Sequence, residues 1–248
     1  MRHPMPVSTS EFAAARRRVR ALAAAALLAA AGSAGAGTLT MNGWLFGAGH
    51  AVNVTSPGFN GPAGGFRGTL TGMTDARFNL DALELYCVDL AQTININAGT
   101  TYTVQLDCEG GNPAFTIKPV AEVFGAQRAD RLARLISFAE SAPTIVNTSQ
   151  RSTSLQLAIW NIVYDSDASL NAGPLASFSD SSSHRSFAND LLSQSAAHGI
   201  DRQLYVMSSA RHQDQLFWVQ AAAVPEPASL ALAALALGAA AAARRRRA

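Results

Sequence analysis

The sequence predicts an α+β protein in which a β-rich body, sandwich or barrel-like, carries a helical insertion. Three observations lead there. Short strand-like segments separated by Gly, Asn and Pro turn chemistry fill residues 37–106. Apolar residues then recur at helical spacing over residues 120–164, and strand-like sequence returns from Gln203. Strands, then helices, then strands within one compact length is an α+β order, and no internal repeat interrupts it.

The first strands fall at 38–46 and 65–73. Between them Ser56, Pro57, Gly58, Asn60, Gly61 and Pro62 read as a turn cluster, extended by Ala63 and Gly64. A second strand pair, 82–90 and 100–106, flanks Asn97-Ala98-Gly99. After Pro119, Val120, Val123, Phe124, Leu132, Leu135, Ile136 and Ala139 predict a helix. A second helix covers 149–164, where Leu155, Ala158, Ile159, Ile162 and Val163 form one apolar stripe. A weaker helix at 186–197 and strands at 203–208 and 215–221 complete the order.

The two ends read differently from this body. Arg16, Arg17, Arg18 and Arg20 precede an apolar stretch, 21–31, that is too short to span a bilayer. Ala34-Gly35-Ala36 offers small residues to signal peptidase, so residues 1–36 are expected to be a signal peptide. At the other end Pro225, Glu226 and Pro227 interrupt any regular element. An Ala- and Leu-rich run, 228–243, and then Arg244, Arg245, Arg246 and Arg247 follow. As a helix that run would be roughly 24 Å long, short of a typical hydrocarbon core by an amount that snorkelling arginines absorb. The positive-inside rule keeps the arginines cytoplasmic and the body outside.

This tripartite end, 224–248, resembles the PEP-CTERM sorting signal of Gram-negative bacteria. The resemblance implies two processing partners, signal peptidase and an exosortase-type membrane enzyme. It also implies export across the inner membrane, a transient transmembrane anchor, and a final place at the cell surface or in the extracellular matrix. Residues 37–223 remain as the secreted domain.

Trimming reverses the charge. The whole chain carries 19 Lys and Arg against 17 Asp and Glu, a formal +2. Five of the basic residues precede residue 37 and four follow residue 223, against two of the acidic ones, which leaves the body at about −5. The basic character belongs to the ends, and nucleic acid is not an expected partner.

Two cysteines, Cys87 and Cys108, would sit in an oxidising compartment, where a disulfide closing a loop of about twenty residues is the plain expectation. A sharper one comes from their surroundings. Tyr86-Cys87-Val88-Asp89 ends an apolar strand, and Leu155-Gln156-Leu157-Ala158-Ile159-Trp160 lies on the central helix. Together these segments resemble the signatures of bacterial thioester domains, except that Leu155 stands where the family has a threonine. The resemblance implies a β-rich body with a helical lobe and an internal thioester between Cys87 and Gln156. The bond would be supported by Tyr86, Ala158 and Trp160 and poised for capture of an amine on a partner. A thiolate is a strong nucleophile and a primary amide can be attacked with loss of ammonia, which is why the chemistry needs this pair. A related fold without the bond remains open.

Other chemistry is sparse. Asp165, Asp167 and Asn171 could gather round calcium but lack the EF-hand pattern, so a solvated turn is favoured. His50, His184, His198 and His212 show no close metal spacing, and no P-loop or Gly-x-Ser-x-Gly elbow is present. No cofactor, metal site or enzymatic turnover is expected, and a secreted hydrolase has no positive support. The expected function is an exported, surface-sorted adhesion or matrix-binding protein, its partner a surface protein or a polysaccharide matrix. The alternative is a structural exopolymer or biofilm component held by a Cys87–Cys108 disulfide.

Overall fold

The computed structural model describes residues 36–54, 58–107, 111–165, 167–171 and 182–221. Nine strands lie among them: β1 (Gly37–Trp44), β2 (His50–Val54), β3 (Phe59–Ala63), β4 (Phe66–Thr71), β5 (Leu80–Cys87), β6 (Thr101–Leu106), β7 (Phe115–Pro119), β8 (Arg202–Ser208) and β9 (Gln215–Gln220). Seven close into a barrel in the order β1-β4-β5-β9-β8-β7-β6, with β6 returning to β1. Only β6 and β7 run parallel; the other neighbours are antiparallel. Closure removes free sheet edges and turns one side of every strand inward. Leu39, Leu70, Val104, Phe115, Met207 and Phe217 are accordingly buried. Of the two β architectures expected, the chain forms the barrel.

The helical insertion lies between β7 and β8. It comprises α1 (Val120–Phe124), α2 (Ala126–Ala139), α3 (Ser149–Tyr164) and α4 (Ser182–Ser195). The first helix read from the sequence is two, because Gly125 adopts φ +80° between them. Apolar spacing continues across that break, so periodicity alone did not register it. The last helix begins at Ser182 rather than at residue 186.

Two further differences concern strands. The segment read as a turn cluster contains β3, which pairs with β2 in a separate two-stranded sheet. Pro62 sits there opposite Ala51, a position that a two-stranded sheet tolerates because each strand keeps one free edge. The short strand β7 was not expected at all; its buried positions are only Phe115 and Ile117, too few for a pattern.

Helix α3 is the centre of the molecule. Thr148 caps it, its side chain accepting from the Arg151 N–H at 3.2 Å. Every residue from Ser152 to Val163 is buried, because β2, β3 and β5 cover one side and α2 and α4 the other. The apolar stripe read from the sequence is therefore only part of what this helix buries.

Candidate functional site at the end of β5

Strand β5 is buried on both faces at its end. Leu85, Tyr86 and Cys87 are at most 5 % exposed, one side of the strand facing the barrel and the other α3. Its neighbour β4 stops earlier, with Phe66 opposite Leu85, so the backbone of Cys87 has no β4 residue to pair with. Gln156 supplies the missing partner. The Cys87 N–H donates to Gln156 Oε1 at 2.9 Å, and Gln156 Nε2 donates to the Cys87 carbonyl at 2.6 Å. A side-chain carboxamide thus replaces one peptide of a strand, and α3 is stitched to β5.

Gln156 ends a polar seam along α3. Ser149 Oγ meets His50 Nε2 at 3.0 Å, and Thr153 Oγ1 donates to the Ala63 carbonyl at 2.7 Å. Ser152 Oγ accepts from the Gly65 N–H at 2.8 Å and lies 3.1 Å from the Tyr86 hydroxyl. Buried polar side chains on a helix are tolerated when they are paired in this way. A Cβ on Gly65 would stand 2.6 Å from Tyr86 Cζ. Gly65→Ala is therefore expected to push Tyr86 off Ser152 and to destabilise the fold by about 1–3 kcal/mol, measurable as a lowered urea midpoint.

The thiol itself meets two other glutamines. Cys87 Sγ donates to Gln213 Oε1 at 2.8 Å and receives Gln215 Nε2 at 3.7 Å. Gln213 is fixed by donating to the Asp89 carbonyl at 2.7 Å, and Gln215 by donating to the Gln213 carbonyl at 2.9 Å. The sequence reading missed both residues. The one available signal was a polar side chain at the head of the apolar run Leu216-Phe217-Trp218-Val219.

Burial pushes the Cys87 thiol up to about 12, although the Gln215 contact draws it down. The thiol is therefore protonated at neutral pH. Burial also drives the Tyr86 phenol well above its ordinary value. A cavity of about 320 Å³ opens beside Cys87 and Gln156, with Trp44, Phe59, Phe66 and Trp160 as its aromatic walls. No described residue of the lining carries a charge. Trp160 packs on Phe59 at 5.1 Å between ring centroids.

The structure thus brings together Cys87, Gln156 and Trp160. Tyr86 is adjacent but does not line the cavity; it stacks on Trp218 at 6.1 Å. Ala158 is fully buried within the helix packing. The Cys87 thiol is free, and Cys108 lies outside the described residues, as do Pro225, Glu226, Pro227 and Arg244 to Arg247. The turn after α3 is less solvated than expected. Asp165 is 6 % exposed, and Asp167 Oδ1 accepts from Asn161 Nδ2 and the Ser169 N–H. No cluster suited to a metal ion occurs among the described residues. The histidines serve packing: His50 lies on His184, His198 on Phe138 and His212 on Tyr102.

No helix among the described residues is long and apolar enough to cross a membrane. No curated protein and no solved structure matches the chain. Residues 223–247 match the PEP-CTERM protein-sorting motif, which marks this chain as an exported protein sorted at the membrane by exosortase.

Proposed function

We propose that this exported protein is a surface adhesion or matrix-binding protein in which Cys87 and Gln156 form an internal thioester that captures an amine on a partner. The observation that carries the reading is the double hydrogen bond between the Gln156 carboxamide and the Cys87 backbone, beside the thiol of the same residue. Cys87 Sγ attacks Gln156 Cδ, the C–N bond breaks, and ammonia leaves with the thiol proton. The Cys87 N–H already points at Oε1, where negative charge develops during attack. An incoming amine then bonds to Cδ, the C–S bond breaks, and the thiol is restored with a proton from the amine. Each chain acts once, so no turnover is involved.

Two features support this use. The described lining of the cavity carries no charge, which favours a nucleophile that arrives as the free base. The high proton affinity of the sulfur makes it a poor leaving group in the closed site, which protects a stored acyl bond. Topology supports display as well. β1 begins and β9 ends at the barrel end away from Cys87, about 17 Å along β9 from Gln215. The chain therefore leaves toward its sorting motif on the side remote from the site.

Intact mass of the exported protein after phosphine reduction tests the reading. The expected mass is lighter by one ammonia, and Cys87→Ala or Gln156→Ala removes the deficit. A full mass with two titratable thiols rejects it. A second reading, a structural matrix protein, is favoured by the same hydrogen bonds, which suffice to dock α3 on β5 without any reaction. A disulfide between Cys87 and Cys108 then shows as two missing hydrogens that reduction restores.

A further inference from the structure

Three carboxamides surround Cys87, and only one of them can serve the sulfur when it carries charge. Gln156 engages the backbone. Gln213 presents its carbonyl oxygen to the thiol, so it holds the protonated form and has nothing to offer a thiolate. Of the three carboxamides, Gln215 is the one that presents an N–H to the sulfur.

The orientation of Gln215 is fixed by its surroundings. Nε2 has two protons, one directed to the Gln213 carbonyl and the other to Sγ. Exchanging the oxygen and nitrogen of the carboxamide would set Oε1 against the Gln213 carbonyl, two acceptors facing each other. The side chain is fully buried, yet among the described residues Oε1 meets no hydrogen-bond partner. An orphaned buried acceptor destabilises the fold, so this amide is not arranged for its own stability. What the arrangement secures is a donor aimed at sulfur.

We propose that Gln215 is the leaving-group residue of the acyl-transfer step, donating its Nε2–H to the Cys87 sulfur as the C–S bond breaks. This rests on the thioester reading. When an amine attacks Gln156 Cδ, the electron pair of the C–S bond passes to sulfur, and the proton released by the amine later restores the thiol. The interior strongly disfavours the anion in between. A single N–H on sulfur offsets part of that penalty at the moment it arises.

The test uses the full exported protein and methylamine as the nucleophile. Gln215→Met keeps the volume and removes the donor, while Gln215→Asn keeps the carboxamide and draws it back from the sulfur. Both are expected to slow methylamide formation, followed by mass, roughly 5- to 30-fold. A second readout does not need the thioester. After phosphine reduction and methylamine treatment Cys87 is a thiol whether or not a thioester or a disulfide was present, and its iodoacetamide alkylation can be followed by peptide mass at each pH. At every pH below the titration range of the thiol, alkylation of both variants is expected to be about tenfold slower than in wild type. Profiles unchanged from wild type in both variants overturn the proposal. Absence of an ammonia deficit in the wild type rejects the thioester itself, and the alkylation profile still decides whether Gln215 serves the sulfur.

Discussion

Gln156→Leu is expected to cost the fold about 2–4 kcal/mol and to abolish any ammonia deficit in the same protein. The leucine fills the space but leaves the Cys87 N–H and carbonyl buried without partners, each worth about 1–3 kcal/mol. Urea denaturation gives the loss as a lower midpoint with an unchanged slope. Because instability and lost chemistry coincide in that variant, Gln156→Glu separates them. A buried carboxylic acid can donate its O–H to the Cys87 carbonyl and accept the Cys87 N–H, repeating both bonds while offering no ammonia to expel. Its stability is expected to approach wild type at acidic pH and to fall as the carboxyl ionises. A Gln156→Leu protein as stable as wild type would show that the carboxamide does not hold α3 to β5.

How much of this was legible in the sequence depends on the range of the interactions. The strand-helix-strand order and the long helix α3 follow from local spacing, and both are present. Gln156 stands next to Leu155, the first residue of the apolar stripe Leu155-Ala158-Ile159-Ile162-Val163, and faces β5. What periodicity could not convey is that this helix is buried all round, because Ser152 and Thr153 look solvent-facing until Gly65 and Ala63 are seen against them. The hairpin of β2 and β3 was hidden by Gly61 and Pro62, residues that ordinarily mark turns. Gln213 and Gln215 were hidden by distance: they stand more than 120 residues after Cys87 and reach it only because β9 pairs with β5. Motif reading finds the residues that chemistry names, while the groups tuning the sulfur arrive through barrel closure.

The same strand carries a second expected effect, a loss of stability as pH rises toward neutrality. Glu84 lies three residues before Cys87, and burial raises its carboxyl from 4.5 to about 7, with the charge of Glu140 adding to the rise. Glu140 is itself held above its ordinary value by burial, although Arg202 pulls it back down. A carboxyl whose folded value exceeds its unfolded one binds its proton more tightly in the native state. Its contribution is complete below about pH 4.5 and is lost as pH climbs through about 7. For Glu84 the loss is roughly 1–3 kcal/mol, reduced from the full linkage value because the side chain is partly solvated. Asp214, raised by burial, acts in the same direction, whereas Asp75, lowered by its hydrogen bond to Arg77, acts only in stronger acid. The comparison must therefore be between variant and wild type rather than within one curve. Glu84→Gln is expected to flatten the decline between pH 5 and pH 8 and to be the more stable protein at pH 8. Equal pH slopes in urea denaturation of the two proteins would mean that Glu84 reaches solvent freely, and that the end of β5 is less enclosed than the burial of Tyr86 and Cys87 requires.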